Sequence, residues 1–448
     1  MFELPLILLI YIVIGTAIAF YSRRARSQEE FFIANRSLGS VVSALTYAAT
    51  TYSAFMMVGL VGLTYATGVG ALGFELLYLV GTLFLLSYYG PKIWKFAKDY
   101  KVVSPAEFLK FRYGIETAKL ASVICLIALI PYTSAQLIGV ALLLETVGIE
   151  FFYGIVIAAF LIASWAFIGG LRGVALTDAF QGVIMLTAAF TIVFYVLNTV
   201  DLSKVEKLGE MLYVPNRFWS YERFASLVVP WFFFALTNPQ VFQRLFIVKD
   251  ERSLKRMVIY FGTFGFLYTL LVVVLGLSLK ILTVEGSFPL ITDRDKVTPE
   301  LLTRVPQLLS IFVSLSILMA AVTTANSIIL SLSSMVSRDL VSEKGFLIGR
   351  MSVVLLTMFV AFFASQRFQY IVELSVLSST ILLCQLPLII GFFHWKRGGK
   401  ISGISTLIAG FTTSITIAIL FPKFVLGSVV TVIVASAVYI LASLVEKR

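Results

Sequence analysis

Apolar runs long enough to cross roughly 30 Å of hydrocarbon recur from one end of this chain to the other. No other feature constrains the fold as tightly, because a backbone in lipid must satisfy its own hydrogen bonds and does so as helices or closed barrels. About thirteen runs are expected, near 4–21, 39–66, 69–90, 117–144, 153–170, 178–198, 225–247, 257–282, 306–335, 346–365, 371–392, 403–421 and 426–445. Their length is that of spanning helices, so the expected class is an all-α polytopic membrane protein. A 59% apolar share with only 13% charged residues agrees. No basic residue precedes the first run and no small-residue cleavage site follows it, while Arg23, Arg24 and Arg26 do. It is therefore expected to stay attached, with the N-terminus outside and the C-terminus cytoplasmic.

Threading the chain from that start puts about 25 of the 35 Lys and Arg residues on the inner side, including Arg36, Lys92, Lys95, Arg244, Lys249, Arg338, Lys344, Lys447 and Arg448. The formal charge of +11 thus follows the positive-inside rule. Charges spread over short loops do not make a nucleic-acid surface, so no nucleic-acid partner is expected. The longest outer segments, near 199–224 and 283–305, are too short for an independent core. Cys125 and Cys384 both fall in apolar runs, against a disulfide framework or a thiolate metal site, and His394, the only histidine, sits at a helix end. That shortage of catalytic side chains argues against an intramembrane enzyme. No Gly-rich nucleotide loop followed by Lys is present, so transport would draw on an ion gradient or on the solute itself. A channel would need charged rings or repeated carbonyl loops, and neither is evident.

Within these apolar runs two stretches are unusual. Leu318 to Ser334 reads LMAAVTTANSIILSLSS, and at about 3.6 residues per turn Ala320, Thr323, Thr324, Ser327 and Ser331 share one face. Oxygen atoms clustered in a dry place suit a small hard cation such as Na⁺, although Ser and Thr also bond back to their own helix or pack as small residues. Ala44 to Gly70 is long and apolar but is interrupted by Thr50, Thr51, Tyr52 and Ser53, which predicts a break. A second break is predicted at Ala235–Gln240, where Pro239 removes a backbone donor inside a run. Five runs separate the breaks, the spacing of two inverted five-helix repeats whose first helices are both discontinuous.

Four runs in order, SRRARSQEEFFIANRSLG, SPAEFLKFRYG, FIGGLRGVALTDAFQGVIM and AAVTTANSIILSLSSMVSRDL, resemble the sodium/solute symporter family over essentially the whole chain, most nearly its proline-permease-like branch. The resemblance implies a leucine-transporter-type fold, a 5+5 inverted-repeat core within about thirteen transmembrane helices. Residues 1–38 would form an extra helix and a basic loop, 39–198 and 225–392 the two repeats, and 393–448 two peripheral helices. It implies a multi-pass protein of the plasma membrane, working by alternating access. Na⁺ would be the coupling ion, with no cofactor, a small-molecule solute as partner, and one copy sufficient for transport.

Carried over residue by residue, the resemblance puts Na⁺ at the carbonyls of Ala49, Tyr52 and Ala320 and the hydroxyls of Thr323 and Thr324. Trp231 and Tyr132 match aromatic pocket residues of proline permeases, and an aromatic box suits a small zwitterion with an apolar ring. Thr51 and Ser53 at the first break and Gln136, one turn after Tyr132, complete the candidate solute residues. Thr51 stands where the proline branch carries an acid, and Ala235 where it carries a pocket tyrosine, which weakens the proline assignment. Glu75 lies deep in an apolar run, where a carboxylate is costly, and sugar-carrying relatives use a glutamate at the matching place to meet hydroxyls. Asp178, Asn238 and Pro239 are the candidate gating residues, an acidic helix cap being the competing role for Asp178. Beside proline uptake stand a sugar, sialic acid or carboxylate as cargo, or H⁺ as the coupling ion through Glu75 and Asp178.

Overall fold

The computed structural model describes residues 3–23, 25–145, 148–341, 345–367 and 371–446; Arg24, Lys344, Lys447 and Arg448, counted above with the inner cations, lie outside them. The chain opens with α1 (Glu3–Tyr21), the short α2 (Gln28–Ile33), and α3 (Ser40–Thr51). A π-helical stretch, Phe55–Leu60, leads into α4 (Val61–Thr67), then α5 (Gly70–Asp99), α6 (Glu107–Tyr113), α7 (Ile115–Glu145) and α8 (Phe151–Leu197). Next come α9 (Tyr221–Phe232), α10 (Phe234–Thr237), α11 (Pro239–Phe242), α12 (Glu251–Val284), α13 (Val297–Arg304) and α14 (Gln307–Met335). The last five are α15 (Phe346–Ala364), α16 (Ile371–Leu382), α17 (Leu386–His394), α18 (Lys400–Leu420) and α19 (Gly427–Val445). Among the described residues the only β pairing is a single bridge between Leu38 and Val248.

Nine helices among the described residues are long and apolar enough to cross a membrane, and the bent pair Ser40–Thr51 and Phe55–Thr67 makes a tenth. The 47-residue α8 would reach about 70 Å if straight, more than two hydrocarbon thicknesses. It leaves helical geometry at Gly170, with φ +53° and ψ −158°, which a residue without Cβ tolerates. Two of the expected runs therefore lie within it. α1 and the α9–α11 stretch fall short of that length test as single helices.

Both predicted breaks are present. α3 stops at Thr51, Tyr52 takes φ −87° and ψ 85°, and the axis turns by 53° before the π-helical stretch. The second follows from proline chemistry. Asn238 is extended at φ −90° and ψ 115°, and Pro239 starts α11 at a position where no backbone donor is needed. α14 runs unbroken past both breaks and packs against α3, α7, α8, α11 and α15. From Ile317 to Met335 every one of its side chains is buried, so its polar stripe faces protein rather than lipid.

At one end of the bundle the connecting segments are tied together by charge. Arg36 donates to the carbonyls of Val102, at 2.7 Å, and Phe246, at 3.2 Å. Arg338, just beyond α14, reaches Glu107 at 2.5 Å and Gln28 at 3.2 Å. Three segments distant in sequence thus meet at the foot of α14.

Candidate sodium and solute site

The hydroxyls of α14 meet the end of α3. Thr323 Oγ1 donates within 2.9 Å of the carbonyls of both Ala49 and Ala320. Thr324 Oγ1 lies 3.3 Å from the Ala49 carbonyl and 3.4 Å from that of Thr50. The Ala49 and Thr50 carbonyls are available because α3 ends here: the last turn of a helix leaves its carbonyls without intrahelical partners. Four of the five expected ion ligands, Ala49, Ala320, Thr323 and Thr324, therefore converge. Neutral oxygens of this kind are the donor set a hard monovalent cation takes, and no group of three or more His, Cys, Asp or Glu able to hold a metal occurs among the described residues.

Tyr52 caps α3, but the hydroxyls of α14 meet the carbonyl of Thr50 rather than that of Tyr52. The Tyr52 ring turns away, stacking on Phe261 and Phe264 and meeting Tyr78 and Tyr268 edge-on. Gly265 makes room for it: a Cβ there would stand 2.2 Å from the Tyr52 hydroxyl.

The candidate solute residues occupy an aromatic region beside the first break. Trp231 stacks on Phe55 and Phe234, at 5.4 and 5.2 Å between centroids, and takes the edges of Phe74 and Tyr78. Tyr132 donates to Ser53 Oγ at 3.4 Å, which links α7 to the break. Glu75 on α5 is buried within electrostatic range of the Tyr52, Tyr78 and Tyr132 phenols. Its Oε2, both amide atoms of Gln136 and the Trp231 indole nitrogen are buried without a hydrogen-bond partner. Buried polar atoms are nearly always satisfied, so these four are candidates to meet a polar ligand. Thr51 differs from the rest. Its hydroxyl donates to the Tyr47 carbonyl at 2.8 Å, one turn back on its own helix.

Of the candidate gating residues, Asp178 is fully buried and accepts from Thr46 Oγ1 at 2.6 Å. It sits two turns past the Gly170 bend, not at a helix terminus, so a capping role does not describe it. Asn238 and Pro239 form the second break, where Asn238 Nδ2 reaches Thr237 Oγ1 at 3.3 Å.

One expectation is corrected here. Arg244, assigned above to an inner loop, is fully buried, 3.7 Å from Asp178 Oδ2 and 2.5 Å from Ser327 Oγ. The chain stays inside the protein for one more turn after α11, in the short helix Gln243–Leu245. The signal was available, since an arginine five residues after an intramembrane proline has little distance in which to reach water.

A membrane-embedded helical bundle, two interrupted helices and a neutral oxygen site at the first interruption together define a secondary transporter rather than an enzyme. The model of the sodium:solute symporter family matches residues 31–410, and the chain belongs to that family: it is a Na⁺-coupled solute symporter. It is similar to the sodium/pantothenate symporter of Haemophilus influenzae, with 29% identity over 352 residues covering 75% of this chain and 71% of that protein. It is also similar to the sodium/proline symporter of Staphylococcus aureus, with 28% identity over 187 residues covering 40% of this chain and 36% of that protein. Among solved structures, a Na⁺-coupled sialic acid symporter in a substrate-bound outward-open state matches 99% of this chain and 98% of its own at TM-score 0.86 and 17% identity. A nucleobase-cation-symport-1 family transporter in a closed conformation covers 94% of this chain and 95% of its own at TM-score 0.64 and 14% identity. These two likenesses speak to the fold, which is the leucine-transporter-type fold expected from the sequence.

Proposed function

We propose that this protein couples inward Na⁺ movement to uptake of a small organic solute bearing a carboxylate, with proline or a related amino acid as the leading cargo. The observation that carries the coupling is the pair Thr323 and Thr324 against the carbonyls of Ala49 and Ala320. An ion there, completed by the Tyr52 carbonyl, bridges a broken helix and an unbroken one, so losing the ion and parting the two elements favour each other. Asp178, Asn238 and Pro239 serve the gate. Residues 39–198 and 225–392 act as the two repeats, between the 1–38 and 393–448 flanks. One copy in the plasma membrane suffices, with its N-terminus outside and its C-terminus in the cytoplasm.

The cargo would bind among Ser53, Glu75, Tyr132, Gln136 and Trp231. A carboxyl with a free oxygen selects a cargo that also carries a donor, such as the ammonium of proline. Pantothenate is the second reading, favoured by the Haemophilus relative's coverage of 75% of this chain, and its hydroxyls and amide would meet the same Glu75. Uptake of radiolabelled proline and pantothenate into proteoliposomes, under Na⁺, K⁺ and pH gradients, tests this with Thr324→Ala as control. Na⁺-dependent uptake of one solute that fails in the control is the expected result. Uptake driven by the pH gradient alone would overturn Na⁺ as the coupling ion, and uptake of neither solute would overturn both cargoes.

A further inference from the structure

Arg244 has no role in the site as described, yet its guanidinium is fully buried within the protein core. Nη2 donates to Ser327 Oγ, which lies one turn past Thr323 and Thr324 on α14. Ser327 in turn meets Thr50 Oγ1 at 2.8 Å, and the Thr50 carbonyl accepts from Thr324. Oxygens of Thr324, Thr50 and Ser327 therefore lead from the ion ligands to Arg244 Nη2, which also approaches Asp178, toward the end of the bundle that carries Arg36 and Arg338. Oxygens in sequence through a dry interior are a route a small cation follows. Here the route ends on a fixed positive charge.

Neutralising Asp178 is the plain alternative, and the geometry suits it poorly. Only one guanidinium nitrogen approaches the carboxylate, at 3.7 Å, while Nε, Nη1 and Asp178 Oδ1 have no partner. A buried pair retained for stability has good geometry and satisfied edges, and this one has neither. Arginine stays protonated in any protein environment, so it differs from a hydroxyl in repelling Na⁺ permanently. It is also carried by the second broken stretch, whereas Asp178 and Ser327 belong to α8 and α14. Movement of that stretch takes the charge off the path, and the stretch itself carries none of the ion ligands.

We propose that Arg244 is a positioning residue for coupling: a tethered charge that closes the polar path from the sodium site until the α10–α11 break moves. The proposal rests on Ala49, Thr323 and Thr324 holding the ion. Radiosodium flux into solute-free proteoliposomes tests it, because an uncoupled leak needs no knowledge of the cargo. Arg244→Met, similar in bulk and uncharged, should raise the leak on the order of tenfold, and Arg244→Lys should stay within about twofold of the parent protein. A monodisperse Arg244→Met protein that leaks no more than the parent overturns the proposal, as does an equal leak in Arg244→Lys. Should Arg244→Met fail to fold around an unpaired Asp178, the double variant Arg244→Met with Asp178→Asn removes both charges and must leak; a tight double variant overturns the proposal as well. Radiosodium binding to purified Thr324→Ala separates the two readings. Retained binding there removes the sodium-site assignment, whatever the leak measurements give.

Discussion

The two polar regions beside the first break are built in opposite ways. At the α3–α14 junction each threonine hydroxyl lies within 3.4 Å of two carbonyls, so the oxygens are already gathered. In the aromatic region around Trp231, Oε2 of Glu75, the amide of Gln136 and the indole nitrogen are left without partners. Gathered neutral oxygens suit an ion recognised by distance and number of ligands. Dispersed, unpaired donors and acceptors suit a molecule that must supply its own complementary groups. On the proposed function, ion and cargo recognition are then separable, although the Tyr132–Ser53 contact joins the two regions.

Removing both hydroxyls of the gathered site should have the largest effect on transport. Thr323→Val with Thr324→Val should raise the Na⁺ half-saturation on the order of 100-fold, read by titrating Na⁺ in uptake assays. Unaltered Na⁺ dependence in that variant would put the ion elsewhere. Next is Trp231→Ala, which opens a cavity between Phe55 and Phe234 and should cost about 3–5 kcal/mol, seen as a lower melting temperature in detergent. Trp231→Phe should recover most of that stability, since stacking on both neighbours survives.

Glu75→Gln separates the two regions most sharply. It should raise the solute half-saturation on the order of tenfold while moving that for Na⁺ by less than about twofold. Equal shifts in both would show that carboxyl and ion site act as one unit. The smallest change is expected for Thr51→Val, below about 1 kcal/mol and with normal uptake, because the lost hydrogen bond is one turn back on α3. Loss of solute affinity there would place Thr51 in the cargo site, as the resemblance to the proline branch suggests.

Much of this was legible from residue types. Thr50 to Ser53 interrupt an apolar run with poor helix formers, and α3 stops at Thr51. Pro239 lacks a donor, and the chain leaves helical geometry at Asn238. The face shared by Ala320, Thr323 and Thr324 follows from the helical repeat, so its meeting with another element could be expected. Arg244 was less plainly legible, the nearby Pro239 being its one signal. Its charge fitted an inner loop as well as a core position, and the choice depended on one extra turn after α11. Thr51 shows the same ambiguity at shorter range, since a helical threonine turned to the carbonyl four residues back reads alike whether or not it also meets a cargo.

What the sequence alone determined is the medium and the punctuation: spanning helices, because lipid leaves the backbone no other partners, and two interruptions, because particular residues cannot continue a helix. Only the tertiary structure decided which polar groups meet. Thr324 and Ala49 stand 275 residues apart, and Asp178 finds Arg244 across separate helices. Helical periodicity assigns a residue to a face but not the face to a neighbour, and at membrane depth the identity of that neighbour decides whether a polar atom is a ligand, a gate or an internal hydrogen bond.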